Sequence, residues 1–263
     1  MGIVPPPPLP REHGAWTMLI IPMLLGFAAG GVRSGAAWLV PPAAVLVFLA
    51  HHAIVPWAQR SLEKKPSPPG YAARRLVWGA TYLALAVFVF AGAVLAARPA
   101  ARGPFLTIAG IASVLAAVYA VACVLGRGRS IGPETLGLAG VSLSAPMMAA
   151  AAGQPLDRSI FGAAALALGY FLSSVSYVRA YEKLRANRHG AILSCIAAHV
   201  ALAAALLALA ACGAFRLWWW AAFVPVVART VWGLAVPPSN VRQVGLREAW
   251  VALCFTAIAA TTL

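Results

Sequence analysis

PREHGAWTMLIIPMLLGFAAG, residues 10–30, decides the class of fold. From Trp16 onward it is one apolar run, and three ionisable side chains, Arg11, Glu12 and His13, stand at its mouth. Crossing a hydrocarbon core takes about 20 apolar residues in a helix, and runs of this kind recur as far as Leu263. Working outward, they fall near 15–32, 37–56, 75–97, 104–126, 134–152, 159–180, 190–213, 217–236 and 246–263. The runs are continuous rather than alternating, which excludes barrel strands. The chain is 62% hydrophobic and 10% charged, against roughly 25% charged residues in soluble domains. The expected fold is therefore all-α: a polytopic transmembrane helix bundle of about nine spans. It reads as a single transmembrane domain over 1–263, with 1–10 a proline-rich cytoplasmic arm in polyproline-II conformation.

The 263 residues carry a net charge of +14, and its sidedness explains it. With the N-terminus cytoplasmic and the C-terminus outside, the inner connections hold Arg11, Arg60, Lys64, Lys65, Arg74, Arg75, Arg127, Arg129, Arg179, Lys183, Arg185, Arg188, Arg229, Arg242 and Arg247. Only Arg33, Arg98, Arg102, Arg158 and Arg216 fall outside. Positive charge is retained on the cytoplasmic side and drawn to anionic lipid there, so no nucleic-acid partner is needed. Of the six acidic residues, Glu12, Glu134 and Glu248 are placed at helix starts, where a carboxylate meets the positive end of the helix dipole. Trp218, Trp219 and Trp220 read as an aromatic belt, and the four cysteines as small buried apolar residues.

Polar groups from four helices are expected at one depth, just inside the cytoplasmic surface. These are Arg11, Glu12, His13 and Trp16 at the first span, and His51, His52 and Arg60 near the end of the second. Ser144 follows on the glycine-rich fifth span, and Tyr177, Arg179 and Glu182 end the sixth. Such groups are costly in lipid and face a bundle interior or a cavity. Glu12, His13 and His51 are the candidates for proton transfer, since imidazole titrates near neutral pH. Arg11, Trp16, His52, Arg60, Ser144, Tyr177, Arg179, Glu182 and Arg242 are the candidate ligand-binding set, the arginines forking onto head-group oxygens. His199, midway along SCIAAHVALA, reads as an isolated core histidine.

PREHGAWTMLIIPMLLG (Pro10 to Gly26) resembles the N-terminal signature of the YwiC-like membrane proteins, a bacterial family, and YVRAYEKLR and VGLREAW resemble its later polar breaks. The resemblance runs along the chain and implies a multi-pass protein of the bacterial inner (cytoplasmic) membrane. More distantly, nine helices with long cytoplasmic loops after the second and sixth resemble the UbiA superfamily of intramembrane prenyltransferases. That likeness implies a UbiA-like bundle with a cytoplasm-facing cavity. In those enzymes two aspartate-rich motifs hold magnesium against a prenyl diphosphate. Here His51, His52, Gln59 and Arg60 stand at the first motif, and Tyr177, Arg179 and Glu182 at the second. Magnesium wants several hard oxygen ligands, so no metal site, no cofactor and no standard magnesium-dependent prenyl transfer is expected.

The expected function is binding of a lipid, quinone or isoprenoid-like ligand in an intramembrane pocket, with enzymatic activity left undecided. Two alternatives stand beside it. One is an accessory subunit of a membrane respiratory or biosynthetic complex. The other is a small-molecule transporter, which the nearly pure Ala, Leu and Val outer helix halves disfavour.

Overall fold

The computed structural model describes residues 6–10, 13–30, 34–186, 190–213, 215–236 and 240–263. Among the described residues every regular element is a helix. In chain order these are α1 (His13–Gly30), α2 (Gly35–Trp38), α3 (Val40–Leu62), α4 (Tyr71–Ala96), α5 (Pro99–Val124), α6 (Ile131–Ser142) and α7 (Ser144–Ala151). They continue as α8 (Arg158–Arg185), α9 (Ala191–Ala211), a 3-10 segment (Leu217–Phe223), α10 (Val224–Ala235) and α11 (Val241–Thr262). Among the described residues each predicted span is helical, and seven helical stretches are long and apolar enough to cross a membrane. The first apolar stretch, Trp16–Gly30, is shorter. The fifth predicted span is divided at Leu143. The reason is Pro146: it has no N–H for the Ser142 carbonyl four residues earlier, and its ring crowds that carbonyl.

The chain gathers into two compact units, one from residues 1–12 and 32–155, the other from 13–31 and 156–263. In the first, α3 packs along α4, and α5 packs against α6 and α7. Gly137 lies against Tyr119 of α5 with no room for a β-carbon, and Gly140 lies close against Leu115, so glycine is what lets α6 come this close. Pro56 sits inside α3 and cannot donate to the His52 carbonyl. Arg75 Nη1 of α4 supplies that missing donor, 2.5 Å from His52 O.

The basic loop after α3 is tied down from several directions. Arg60 and Arg75 each stand 5.3 Å from the centre of the Tyr71 ring, and Arg60 Nη1 donates to Pro66 O at 3.3 Å. Lys65 at 2.6 Å and Gln59 at 3.1 Å hold the Glu63 carboxyl below the usual carboxylate range. Arg74 Nε donates to Pro6 O at 2.7 Å, fastening the proline arm to the start of α4.

In the second unit α1 packs against α8 and α11, and α8 against α9. The first apolar helix thus belongs with the C-terminal half of the chain rather than with its sequence neighbour. Gly162 and Gly169, seven residues apart on one face of α8, form notches filled by the rings of Trp219 and Phe223. This corrects the aromatic-belt expectation: Trp219 is fully buried core, while Trp218 is exposed beneath Arg216. Both indole N–H groups donate to Thr262 O, at 3.1 and 3.0 Å. The cysteines divide similarly: Cys195 is buried and Cys123 half-buried, whereas Cys212 and Cys254 are exposed.

Candidate functional site

The polar groups of the second unit meet inside the helical spans, and the helix rise explains why. Arg229 lies six residues before the end of α10, Glu248 seven after the start of α11, and His199 eight after the start of α9. At 1.5 Å per residue these are about 9–12 Å from helix ends on one side of the unit. On α8, Tyr170, Ser173, Ser174, Tyr177 and Tyr181 recur every three to four residues and make one buried stripe facing them.

Arg229 is 4% exposed. Its Nη1 donates to Glu248 Oε1 at 2.5 Å, and the Glu248 side chain is 15% exposed. Ser174 Oγ donates to the other carboxylate oxygen at 2.5 Å, and the Tyr170 hydroxyl donates to Glu248 O at 3.3 Å. The guanidinium plane lies over the Tyr177 ring, 4.4 Å from its centre. Tyr177 in turn fills the space left by Gly233 of α10. A charge in this setting survives because it is paired, hydrogen-bonded and covered by an aromatic face.

From Arg229 the network continues to His199. Arg229 Nη2 donates to Ser173 Oγ at 3.4 Å, and Ser173 Oγ lies 2.7 Å from His199 Nε2. His199 Nδ1 lies 2.9 Å from the Cys195 carbonyl. A carbonyl only accepts, so this contact assigns the proton to Nδ1 and leaves Nε2 as acceptor. Thr230 Oγ1 is 3.3 Å from Nε2 and donates to Val226 O at 2.9 Å. Beyond His199 and Thr230 lies an open cleft of about 250 Å³ between α9 and α10. It is lined by these two residues with Ile196, Val200, Ala203, Val227 and Val231.

Several expectations change. His199 is not isolated. Arg229, counted among cytoplasmic loop residues, is inside α10, and Glu248 is an ion-pair partner well within α11, whose N-cap is Asn240. Glu134 does lie in the first turn of α6. Tyr177 is the predicted ligand-binding residue that the network includes. Ser173, Ser174, His199, Arg229, Thr230 and Glu248 were missed as a group. Their signal was present: each falls on the small-residue or aromatic stripe of its helix, at spacing three or four.

The remaining candidates divide between the units. In the first, His51 stacks on Tyr119, ring centres 5.6 Å apart, and His52 packs on Phe48 at 4.5 Å. Arg60 is engaged in the loop described above, and Ser144 is buried at the start of α7. In the second, Trp16 and Arg179 are half-buried and Glu182 is exposed. Arg11 and Glu12, and the side chains of His13 and Arg242, lie outside the described residues. Among the described residues no three His, Cys, Asp or Glu side chains gather closely enough to hold a metal ion.

Seven apolar spans with an ion pair and a hydrogen-bonded histidine inside the helices define a polytopic helical membrane protein. A family model described as YwiC-like protein matches residues 9–149. That is more than half of the chain, and the chain belongs to the YwiC-like family. The match includes the N-terminal signature and ends before YVRAYEKLR, VGLREAW and the buried network. No curated protein and no solved structure matches the chain, and the UbiA likeness remains a resemblance of sequence features.

Proposed function

We propose that this YwiC-like protein binds an amphipathic membrane ligand of the isoprenoid or quinone type in the cleft between α9 and α10. The carrying observation is a cleft whose exposed lining is almost wholly apolar, with the buried His199 network directly behind its wall. An apolar cleft with few, fixed polar groups suits a ligand with a long hydrocarbon body and a small head. The buried Arg229–Glu248 pair contributes by holding Ser173, and through it the imidazole, in one orientation. Polar groups kept at this depth mark functional positions in membrane helices. The charge-rich connections support a reading in which they face the cytoplasm of a bacterial inner membrane.

The test is mass spectrometry of lipids retained through purification in nanodiscs, comparing the natural chain with Ala203→Phe, which fills the cleft. A ligand class present in the first and depleted in the second is the expected result. Equal retention in both, or none in either, refutes the assignment.

A further inference from the structure

We propose a separate lipid contact in the first unit, which does not depend on the cleft: Arg60, Lys64, Arg74 and Arg75, gathered about Tyr71, hold the phosphate of an anionic phospholipid. The stretch RSLEKKPSPPGYAARR, residues 60–75, sets Arg60, Lys64, Lys65, Arg74 and Arg75 against one carboxylate, Glu63. That carboxylate is taken by Lys65 at 2.6 Å and Gln59 at 3.1 Å. It is near enough to Arg60 for their charges to interact, but the two share no hydrogen bond. Among the described residues no carboxylate pairs with Arg60, Lys64, Arg74 or Arg75. Like charges brought together without an acid repel one another and draw an anion from outside.

The three guanidinium groups are already oriented. Arg60 and Arg75 each stand 5.3 Å from the centre of the Tyr71 ring. Each arginine also gives one N–H to a backbone carbonyl: Arg60 to Pro66 O, Arg74 to Pro6 O and Arg75 to His52 O. The rest of each fork is left for an incoming oxygen, and side chains fixed beforehand lose little freedom when an anion arrives. The place of the cluster says which anion. It stands at the start of α4, and the helix turns apolar at Leu76, directly after Arg75. Arg74 heads a face that runs on through Val77, Thr81, Ala84 and Phe88 at helical spacing, all of them exposed. The buried face, with Gly79, Tyr82 and Ala86, is a different one. In a membrane span that exposed stripe is covered by acyl chains, so a phosphate held at Arg74 has its own chains lying along α4. This continuity of charge and apolar stripe fits a phospholipid better than free phosphate. A zwitterionic head would bring an ammonium against Lys64 and Arg74, whereas an anionic head does not.

The experiment titrates phosphatidylglycerol, phosphatidylcholine and inorganic phosphate, each separately, into the full-length protein in detergent, with bound ligand read by native mass spectrometry. Phosphatidylglycerol is expected to bind at least about tenfold tighter than either of the others. Arg60→Gln with Arg74→Gln is expected to weaken phosphatidylglycerol by about tenfold or more and to leave phosphatidylcholine unchanged. Lys64→Gln, at an exposed side chain on which no packing depends, is expected to weaken it by about three- to fivefold with the fold intact. Lys183→Gln with Arg185→Gln removes the same charge from the end of α8 and is expected to stay within about twofold of the natural chain. Equal weakening by this control pair, or no weakening by Lys64→Gln, overturns the assignment of the site. Phosphatidylglycerol bound no tighter than phosphatidylcholine overturns the choice of an anionic head, and inorganic phosphate bound as tightly overturns the choice of a lipid.

Discussion

Glu248→Gln keeps the shape of the side chain and removes its charge. Arg229, 4% exposed and within a membrane span, then keeps a positive charge with no anion at hand. Breaking one side of a buried ion pair costs about 3–5 kcal/mol, most of it the stranded charge. The lower part of that range applies here, because the amide oxygen left by the substitution can still accept from Nη1, beside the serine at 3.4 Å and the Tyr177 ring. At roughly 2–4 °C per kcal/mol for a chain approaching this length, Glu248→Gln lowers the midpoint of thermal unfolding by about 6–12 °C. Removing both partners, as Arg229→Met with Glu248→Met, leaves no charge behind and recovers most of that loss, since apolar replacement of a buried pair is often neutral. The assay is thermal unfolding of detergent-purified protein, followed by size-exclusion chromatography of the remaining folded fraction. A Glu248→Gln protein within about 2 °C of the natural chain, or a double variant worse than the single, would refute the claim that this pair is a desolvated, mutually dependent unit.

Arg75→Leu strands the His52 carbonyl that Pro56 leaves open, at about 1–3 kcal/mol. Adding Pro56→Ala restores an N–H within α3 and rescues stability, and failure of that rescue in the same unfolding assay counts against the role given to Arg75. Gly162→Ala drives a β-carbon into the buried Trp219 ring and is expected to destabilise by about 1–3 kcal/mol; Trp219→Leu in the same chain relieves it. Gly233→Ala pushes on Tyr177 and so tilts the ring under Arg229, reducing lipid retention in the nanodisc measurement more than a control with open space at its β-carbon, Gly245→Ala. In a chain whose exposed Cys212 and Cys254 are changed to Ser, Ser67→Cys, in the exposed loop between α3 and α4, is labelled by a membrane-impermeant maleimide only after cells are opened; labelling of intact cells reverses the proposed orientation.

The class of fold was legible because length and apolarity alone fix it. A run such as TYLALAVFVFAGAVLA must form a helix in lipid, where its backbone groups have no water to bond. The expected charge bias rests on basic residues in loops and near helix ends; Arg229 and Arg247 lie inside α10 and α11 and do not count toward it. The break at Leu143 was also readable in principle, from Pro146 alone. What the sequence kept hidden was partnership. Glu248 lies in VGLREAW and reads as a helix-start carboxylate; only the antiparallel placement of α10 and α11 brings it to Arg229.

His199 shows the same limit more sharply. Within SCIAAHVALA its near partner is Cys195 four residues earlier, yet Ser173, 26 positions away, lies 2.7 Å from it across α8 and α9. The sequence by itself determined that the chain is a series of apolar helices, roughly where each run lies and which connections carry positive charge. These follow from local composition and the cost of exposing backbone to hydrocarbon. The tertiary structure decided that α1 joins α8 and α11, and which stripe of each helix faces which neighbour. A helix specifies its own stripes through a 3.6-residue period, but the choice among similar Ala- and Leu-rich faces rests on long-range fit, such as Trp219 into Gly162 and Arg229 against Glu248.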